Sequence, residues 1–358
     1  MASLYRDNEC FTSEGGNVLE TLLQGGDSAA GRMLAVSDGH RHKRLRQLVL
    51  KAFSPGALDV IIERVRVATR KLMVEAVAGD GECDFARDVA AHIPLTAICD
   101  LLGVPDQDRA YILSLTSSAI SSDREDQTAA DAWESKSEIL LYFAGLARER
   151  RDNTPHNDVV GLLATSKIDG EDITHDEIML NCYSLILGGD ETARLSMIGA
   201  VQALIEHPEQ WRSLKSGDAA IETAVEEVLR WTTPAIHSGR TAVVDTTVRG
   251  QEIKAGDIVT IWNSSANRDE EKFPEPGRFD LTRTPNRHLT FAYGPHFCLG
   301  APLARVELGA VLEGLRTVAS DIEPTGPARP IYSNFLFGLS SLPVRLKPDR
   351  ESMAREGW

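Results

Sequence analysis

The sequence predicts a mainly α-helical protein with a small β part (α+β), and three observations carry that prediction. Apolar residues recur at helical spacing through the first two-thirds of the chain. One such segment, 174–207, is much longer than an ordinary globular helix. From residue 240 the texture turns to Val, Thr and Ile between glycine turns, the mark of short strands and hairpins. No internal repeat or low-complexity segment interrupts the chain. Helical and β parts interleave, so residues 1–358 are expected to form a single domain.

Taken in order, the stretch 40–53 places Leu45, Val49 and Leu50 on one side of a helix that ends before Pro55. The stretch 56–77 repeats the pattern through Leu58, Ile61, Ile62, Val65 and Leu72. The polar run "RERRDNTPHND" (148–158) reads as a loop. The segment 174–207 follows, opened by Thr174 and Glu177 at capping-box spacing and stopped by Pro208. At 1.5 Å rise per residue it would span roughly 45–50 Å, the width of a domain. A helix so long and apolar must run through the middle of the protein. It nevertheless contains Gly188 and Gly189, each costing about 1 kcal/mol in a helix interior; a ligand pressed against the backbone would compensate. The stretch 240–263 gives strands with turns at Arg249-Gly250 and Ala255-Gly256-Asp257. "FPEPGRFD" (273–280) is irregular, a helix covers 301–318, and the C-terminal part returns to short strands.

The formal net charge of −15 opposes attraction to nucleic acid phosphates or anionic lipid, so neither is an expected partner. No run of about 18 apolar residues exists, and no membrane span is expected. The first thirty residues lack the apolar core of a secretory signal. Five widely spread cysteines without a CxxC pair suggest neither a zinc ribbon nor a disulfide framework. A reducing, cytoplasmic setting fits this usage.

"YGPHFCLGAPLAR" (293–305) is where chemistry concentrates. Gly294 and Gly300 free the backbone to lie against a flat ligand. A helix beginning near Pro302 would offer free N–H groups and partial positive charge to Cys298, lowering its thiol pKa and holding a thiolate. A thiolate in a glycine-lined bend suits haem iron. A structural cysteine at a helix start and a zinc pair of His296 and Cys298 are the alternatives at this point.

"FAYGPHFCLG" (291–300) resembles the haem-binding signature of the cytochrome P450 superfamily, matching it at Phe291, Gly294, His296, Cys298 and Gly300. Ala292 departs from the pattern, standing where the family usually has a second glycine, and is tolerated only in a common backbone region. The resemblance implies the cytochrome P450 fold, with the 174–207 helix crossing over haem b (heme b, iron protoporphyrin IX) and Cys298 as its axial ligand. It implies a buried triad of Glu227 and Arg230, from "AVEEVLRW", with Arg278, from "FPEPGRF". In "GGDET" (188–192), Glu191 and Thr192 match the family's acid–alcohol pair and would deliver protons during dioxygen activation. A threonine bonding back to the preceding turn is the plainer reading of Thr192. His42, Arg46, Arg240 and His296 match the positions that hold the haem propionates, arginine gripping a carboxylate through two bonds. His40, in a "DGH" stretch where relatives often carry prolines, competes with His42.

Arg41, Lys43, Arg44 and Lys51 form a basic cluster on the side where the family receives its electron donor, which implies a ferredoxin and ferredoxin reductase as partners. The segments implied to line the substrate pocket are 13–36, 105–131, 232–239 and 333–339. They offer Ile236, Phe335, Leu336 and Phe337 as an apolar surface and His237 as a polar handle. A small-molecule or carrier-bound natural-product intermediate would suit. The resemblance further implies that the family's leading helix and first strands precede Leu4, and that their loss would expose a sheet edge. The function expected is that of a haem-thiolate monooxygenase inserting one oxygen atom from O2. A haem-binding interaction module without turnover and an oxidase performing cross-linking or cyclisation are the alternatives.

Overall fold

A computed structural model of the chain describes residues 1–119, 129–152 and 156–358. The long periodic segment forms a helix over His175–Glu206. The Thr174 hydroxyl accepts from the Glu177 N–H (3.2 Å), and the Glu177 carboxylate accepts from the Thr174 N–H (3.0 Å). Two orphan donors are thereby satisfied reciprocally. The helix has 32 residues, about 48 Å at the usual rise. Pro208 cannot continue it and instead starts the next helix, Pro208–Ser216.

Helices Ile93–Leu102, Ala129–Asp152, Val159–Thr165, Ile221–Thr232 and Ala301–Val318 pack around this central helix. Close approach of the first explains one central glycine. A Cβ on Gly189 would lie 2.9 Å from Ile98 Cδ1, whereas one on Gly188 would meet nothing. Helix packing accounts for Gly189, so the ligand expected against this pair has only Gly188 to explain.

The stretch 40–53 divides into a helix, Gly39–Val49, and a 3-10 turn, Leu50–Phe53. Leu45, Leu48 and Val49 are buried; Leu50 is not. The second expected helix is Pro55–Ala76. The polar run 148–158 is a loop only in part, because Ala129–Asp152 continues through its first five residues. Side chains anchor that helix end: Arg150 donates to Gly103 O (2.7 Å), and Arg151 to Ala164 O and Ile173 O (3.0 Å each). Residues 153–155 of the run lie outside the described residues.

Phe11–Thr12, His237–Ala242 and Ile258–Trp262 form a three-stranded antiparallel sheet. Pro343–Pro348 pairs with Glu82–Asp84 and with Ala319–Pro324 in a second. One cluster of buried apolar side chains draws on residues from Leu34 to Leu346. Among the described residues no helix is long and apolar enough to cross a membrane.

Glu227 and Arg230 are both fully buried. Arg230 donates through Nε and Nη2 to the two Glu227 oxygens (2.8 Å each) and through Nη1 to Asn267 O and Pro276 O (2.9 Å each). The third cation is Arg283, not the expected Arg278: Arg283 Nε lies 3.1 Å from Glu227 Oε2. Asn286 and the Asp280 N–H complete the carboxylate shell at 2.9 Å. The irregular stretch turns the Arg278 side chain outward, 58% exposed beside Glu275, and its carbonyl inward to accept from Arg230 and Arg283. Each charge is paired and hydrogen-bonded, the condition under which an ion pair survives burial.

Candidate functional site

A cavity of about 350 Å³ lies between the central helix and the helix Ala301–Val318, a size that suits a small molecule. Gly188, Gly189, Thr192 and Ala193 form one wall; Cys298, Gly300, Leu303 and Glu307 face them; Leu34, Ala35 and Phe53 close a side.

The cysteine loop is shaped by its backbone. At Gly294 φ is +72°, and a Cβ there would lie 2.7 Å from Tyr5 O. Only glycine lets the loop meet the helix Ala2–Arg6. Ala292, expected in a common backbone region, instead has φ of 56°. That left-handed conformation costs an L residue about 1–2 kcal/mol and is held in place by the Ala292 N–H bond to Leu289 O (2.9 Å). At Gly300 the backbone is ordinary, and a Cβ would touch Cys298 Sγ at 3.9 Å. That is an ordinary van der Waals distance.

The Cys298 N–H donates to Phe291 O (3.0 Å), closing the loop. Arg305 lies 4.7 Å from the centroid of the Phe291 ring and pairs with Glu226 (2.6 Å), which also meets His288 (3.1 Å). Burial pushes the Glu226 carboxyl up, but His288 and Arg305 outweigh it and bring it down to about 2. Cys298 opens into the cavity. The expected lowering of its thiol pKa is reversed. Burial pushes the thiol up, and the Gly300 and Ala301 N–H groups with Arg46 offset only part of that.

His42 is buried and stacks on His296, ring centroids 4.3 Å apart. His296 Nε2 lies 2.8 Å from Asp38 Oδ1. Asp38 also accepts from the Ser13 N–H (2.6 Å), the Thr12 hydroxyl (2.8 Å) and the Asn8 amide (3.0 Å). Burial pushes Asp38 up, yet these partners, His296 foremost, hold it below the usual carboxylate range. His42 Nε2 has no partner among the described residues. Burial, with His296 and Arg46 beside it, takes His42 down to about 4, so the ring is neutral at pH 7. Arg46 lines the cavity and donates to Phe297 O. Arg240 is buried but outside the lining. It lies over the Tyr5 ring (5.5 Å), donates to Gly239 O (2.6 Å) and leaves Nε unpartnered. His40 is exposed and pairs with Asp169 (3.0 Å). The cavity thus gathers His42, Arg46, Phe291, His296, Cys298 and Gly300, while Gly294 and Arg240 stand behind it. Among the described residues no group of three or more His, Cys, Asp or Glu converges as a metal cage, so the zinc alternative lacks further ligands.

Thr192 lines the cavity, and its hydroxyl donates to Gly188 O (2.9 Å), the back-bonded arrangement. Glu191 is buried outside the lining, held by Arg194 (2.6 Å). Two other acids were not singled out from the sequence. Glu307 lines the cavity, and burial, then Asp190, push its carboxyl well up. Asp190 is pushed up to about 7 by burial and Glu191, against the pull of Arg194 and Thr116. A signal for Glu307 was present: it stands four residues from both Leu303 and Val311, on the apolar stripe.

Of the segments expected to line the pocket, 13–36 contributes Asn17, Leu34 and Ala35, and 232–239 contributes Pro234, Ala235 and Ser238. Ile236, His237, Phe335, Leu336 and Phe337 are not in the lining. His237 is buried, with Nε2 accepting from the Leu19 N–H (3.3 Å) and its ring between Trp262 and Phe335. Its Nδ1 has no partner among the described residues. Of 105–131, the described residues contribute nothing, and 120–128 lie outside them. The basic cluster is partly neutralised: Arg41 pairs with Glu177 and Arg44 with Asp169 (3.6 Å), leaving Lys43 and Lys51 exposed.

The cytochrome P450 family model matches residues 220–347. "Cytochrome P450 NovI" of Streptomyces niveus is 51% identical over 343 residues, covering 96% of this chain and 84% of that protein. The solved structure of P450 OxyD, involved in the biosynthesis of vancomycin-type antibiotics, superposes with a TM-score of 0.88 at 35% identity, covering 97% of this chain and 88% of its own. HmtN, a post-tailoring hydroxylase of himastatin biosynthesis, gives 0.84 at 28% identity, with coverage of 97% and 88%.

Proposed function

The chain belongs to the cytochrome P450 family, and from that premise we propose that it is a haem-thiolate monooxygenase that hydroxylates a mostly apolar natural-product intermediate, small or carrier-bound. One observation carries the assignment. Cys298 opens into a largely apolar cavity, flanked by a neutral His42 whose buried Nε2 lacks a partner, and by Arg46. An unpartnered buried nitrogen is costly, and an anionic edge of a flat cofactor would satisfy it.

The residues fit haem b. Cys298 would be the iron ligand, with the Gly300 and Ala301 N–H groups stabilising its sulfur. His42, Arg46 and His296 would meet the propionates at the cavity, and buried Arg240, whose Nε has no partner among the described residues, would add positive charge behind them. Phe291 O accepts from the Cys298 N–H and closes the loop, Gly300 borders the sulfur, and Gly294 holds the loop against the N-terminal helix. Bound haem supplies the metal centre at which dioxygen is activated. Thr192 presents its hydroxyl at the cavity wall and would release Gly188 O to donate inward; Glu191, at the family's acid position, would have to leave its ion pair with Arg194 and take up a solvent proton to resupply it.

Electrons would come from a ferredoxin and its reductase, docking at Lys43 and Lys51. The bacterial relatives and five unpaired cysteines support a cytoplasmic setting. The continuous core supports a single domain. The test is a reduced carbon monoxide spectrum on protein expressed with haem precursor, followed by product analysis with ferredoxin and reductase. A thiolate-type band lost in Cys298→Ala, and an oxygenated product, are expected. A colourless protein, or bands unchanged in Cys298→Ala, would refute the reading. A normal band without product across a broad panel would favour a binding module.

A further inference from the structure

The cavity wall made by Leu34 and Ala35 belongs to a connection with little regular structure. Between the short helix Leu19–Leu23 and the helix Gly39–Val49 it makes only the 3-10 turn Leu34–Val36. Among the described residues no strand ladder ties it to the central helix; Leu34 packs into the apolar core, and Asn181 bonds the connection's backbone. That side chain is buried in the second turn of the central helix. Its Oδ1 accepts from the Leu34 N–H (2.8 Å), and its Nδ2 donates to Arg32 O (2.9 Å) and to Glu177 O (2.7 Å). Both amide hydrogens are spent on carbonyls, which sets the amide's orientation: a flip would face its oxygen to two carbonyls and its NH2 to an N–H.

The bond to Glu177 O braces the side chain against its own helix while it grips two backbone groups of the connection. The other tie nearby, Arg32 to Asp176 (3.0 Å), is an exposed ion pair and contributes little. Asn181 also lines the cavity, yet it has no donor left for a bound molecule.

We propose that Asn181 is a positioning residue that sets how far the Leu34–Ala35 wall stands from the central helix, and through that distance which large ligands the cavity accepts. This rests on reading the cavity as the haem and substrate chamber. Its role is geometric; it makes no polar contact to substrate.

The experiment compares the haem-loaded wild type with Asn181→Ala and Asn181→Ser. Each is titrated spectrally with imidazole, small against the cavity, and with clotrimazole, whose aryl groups would fill much more of it. Amide exchange at Leu34 is followed by mass spectrometry. Loss of a buried hydrogen bond predicts Leu34 exchange faster by roughly ten- to a hundredfold, and a clotrimazole Kd raised about tenfold. Imidazole affinity should stay within about twofold. Unchanged Leu34 exchange would overturn the proposal. So would equal weakening of both azoles, or loss of the wild-type reduced carbon monoxide spectrum in both variants, since either makes Asn181 a general structural residue. A wild type that binds neither azole sinks the haem reading instead, and the exchange measurement still decides the clamp.

Discussion

Replacing Arg283 by alanine tests the reading of the buried Glu227 cluster. The Arg283 side chain is 9% exposed and donates to Glu227 (3.1 Å), Pro274 O (2.7 Å), Arg278 O (2.9 Å) and Glu275 O (3.2 Å). Its removal leaves the Glu227 carboxylate with Arg230, Asn286 and the Asp280 N–H, and takes the donor from Pro274 O, while Arg278 O keeps Arg230 and Glu275 O keeps the Arg278 N–H. Breaking one partner from a buried pair costs about 3–5 kcal/mol, and the partners Glu227 keeps put this case near the lower end. For a chain of 358 residues, an unfolding entropy of about 2.1 cal/mol/K per residue converts about 3 kcal/mol into a fall in Tm of about 4 °C. Arg278→Ala removes one exposed contact to Glu275 (3.5 Å), about 0.5 kcal/mol or less, and should move Tm by less than about 1 °C. Arg283→Lys, which keeps the charge but loses the fork, should fall between. The assay is thermal denaturation of haem-loaded protein followed by far-ultraviolet circular dichroism. Equal losses in Arg278→Ala and Arg283→Ala would refute the assignment of the third cation.

Asp190→Asn should stabilise the protein in a pH-dependent way. The folded-state pKa is raised from 3.8 to about 7, so the penalty for ionising this carboxyl appears as pH climbs above 3.8 and is complete above about 7. The variant's advantage should be near zero at pH 4 and grow to at most about 4 kcal/mol at pH 8; an advantage independent of pH would contradict it. At the proposed donor surface, Lys43→Glu should slow reduction by ferredoxin several-fold at low salt, an effect that fades as salt rises, without altering ligand affinity. Arg44→Glu should slow it less, because Asp169 already answers that charge. An unchanged rate in Lys43→Glu would remove this surface from the docking site.

The long helix was legible because its signals are local: a capping box at Thr174, apolar periodicity, and a proline at 208. The cysteine loop was legible as a spacing of residue types. What the sequence left dark depends on side-chain direction in irregular backbone. Arg278 and Arg283 stand five residues apart in a stretch without periodicity, so nothing local says which points inward. Asp38 gathers donors from Asn8, Thr12, Ser13 and distant His296, contacts that only the tertiary fold creates. The sign at Cys298 was misread because the helix N-terminus is visible in sequence and the burial opposing it is not. At 148–152 composition misled: the arginines that resemble a solvated loop are helix anchors.

The two central glycines have opposite tolerances, and this matters to anyone wishing to retune what the enzyme accepts. At Gly188 a methyl group would point into the cavity; at Gly189 it would collide with the Ile98 side chain of the neighbouring helix. A mutant library for altered selectivity should therefore randomise the first position and hold the second constant.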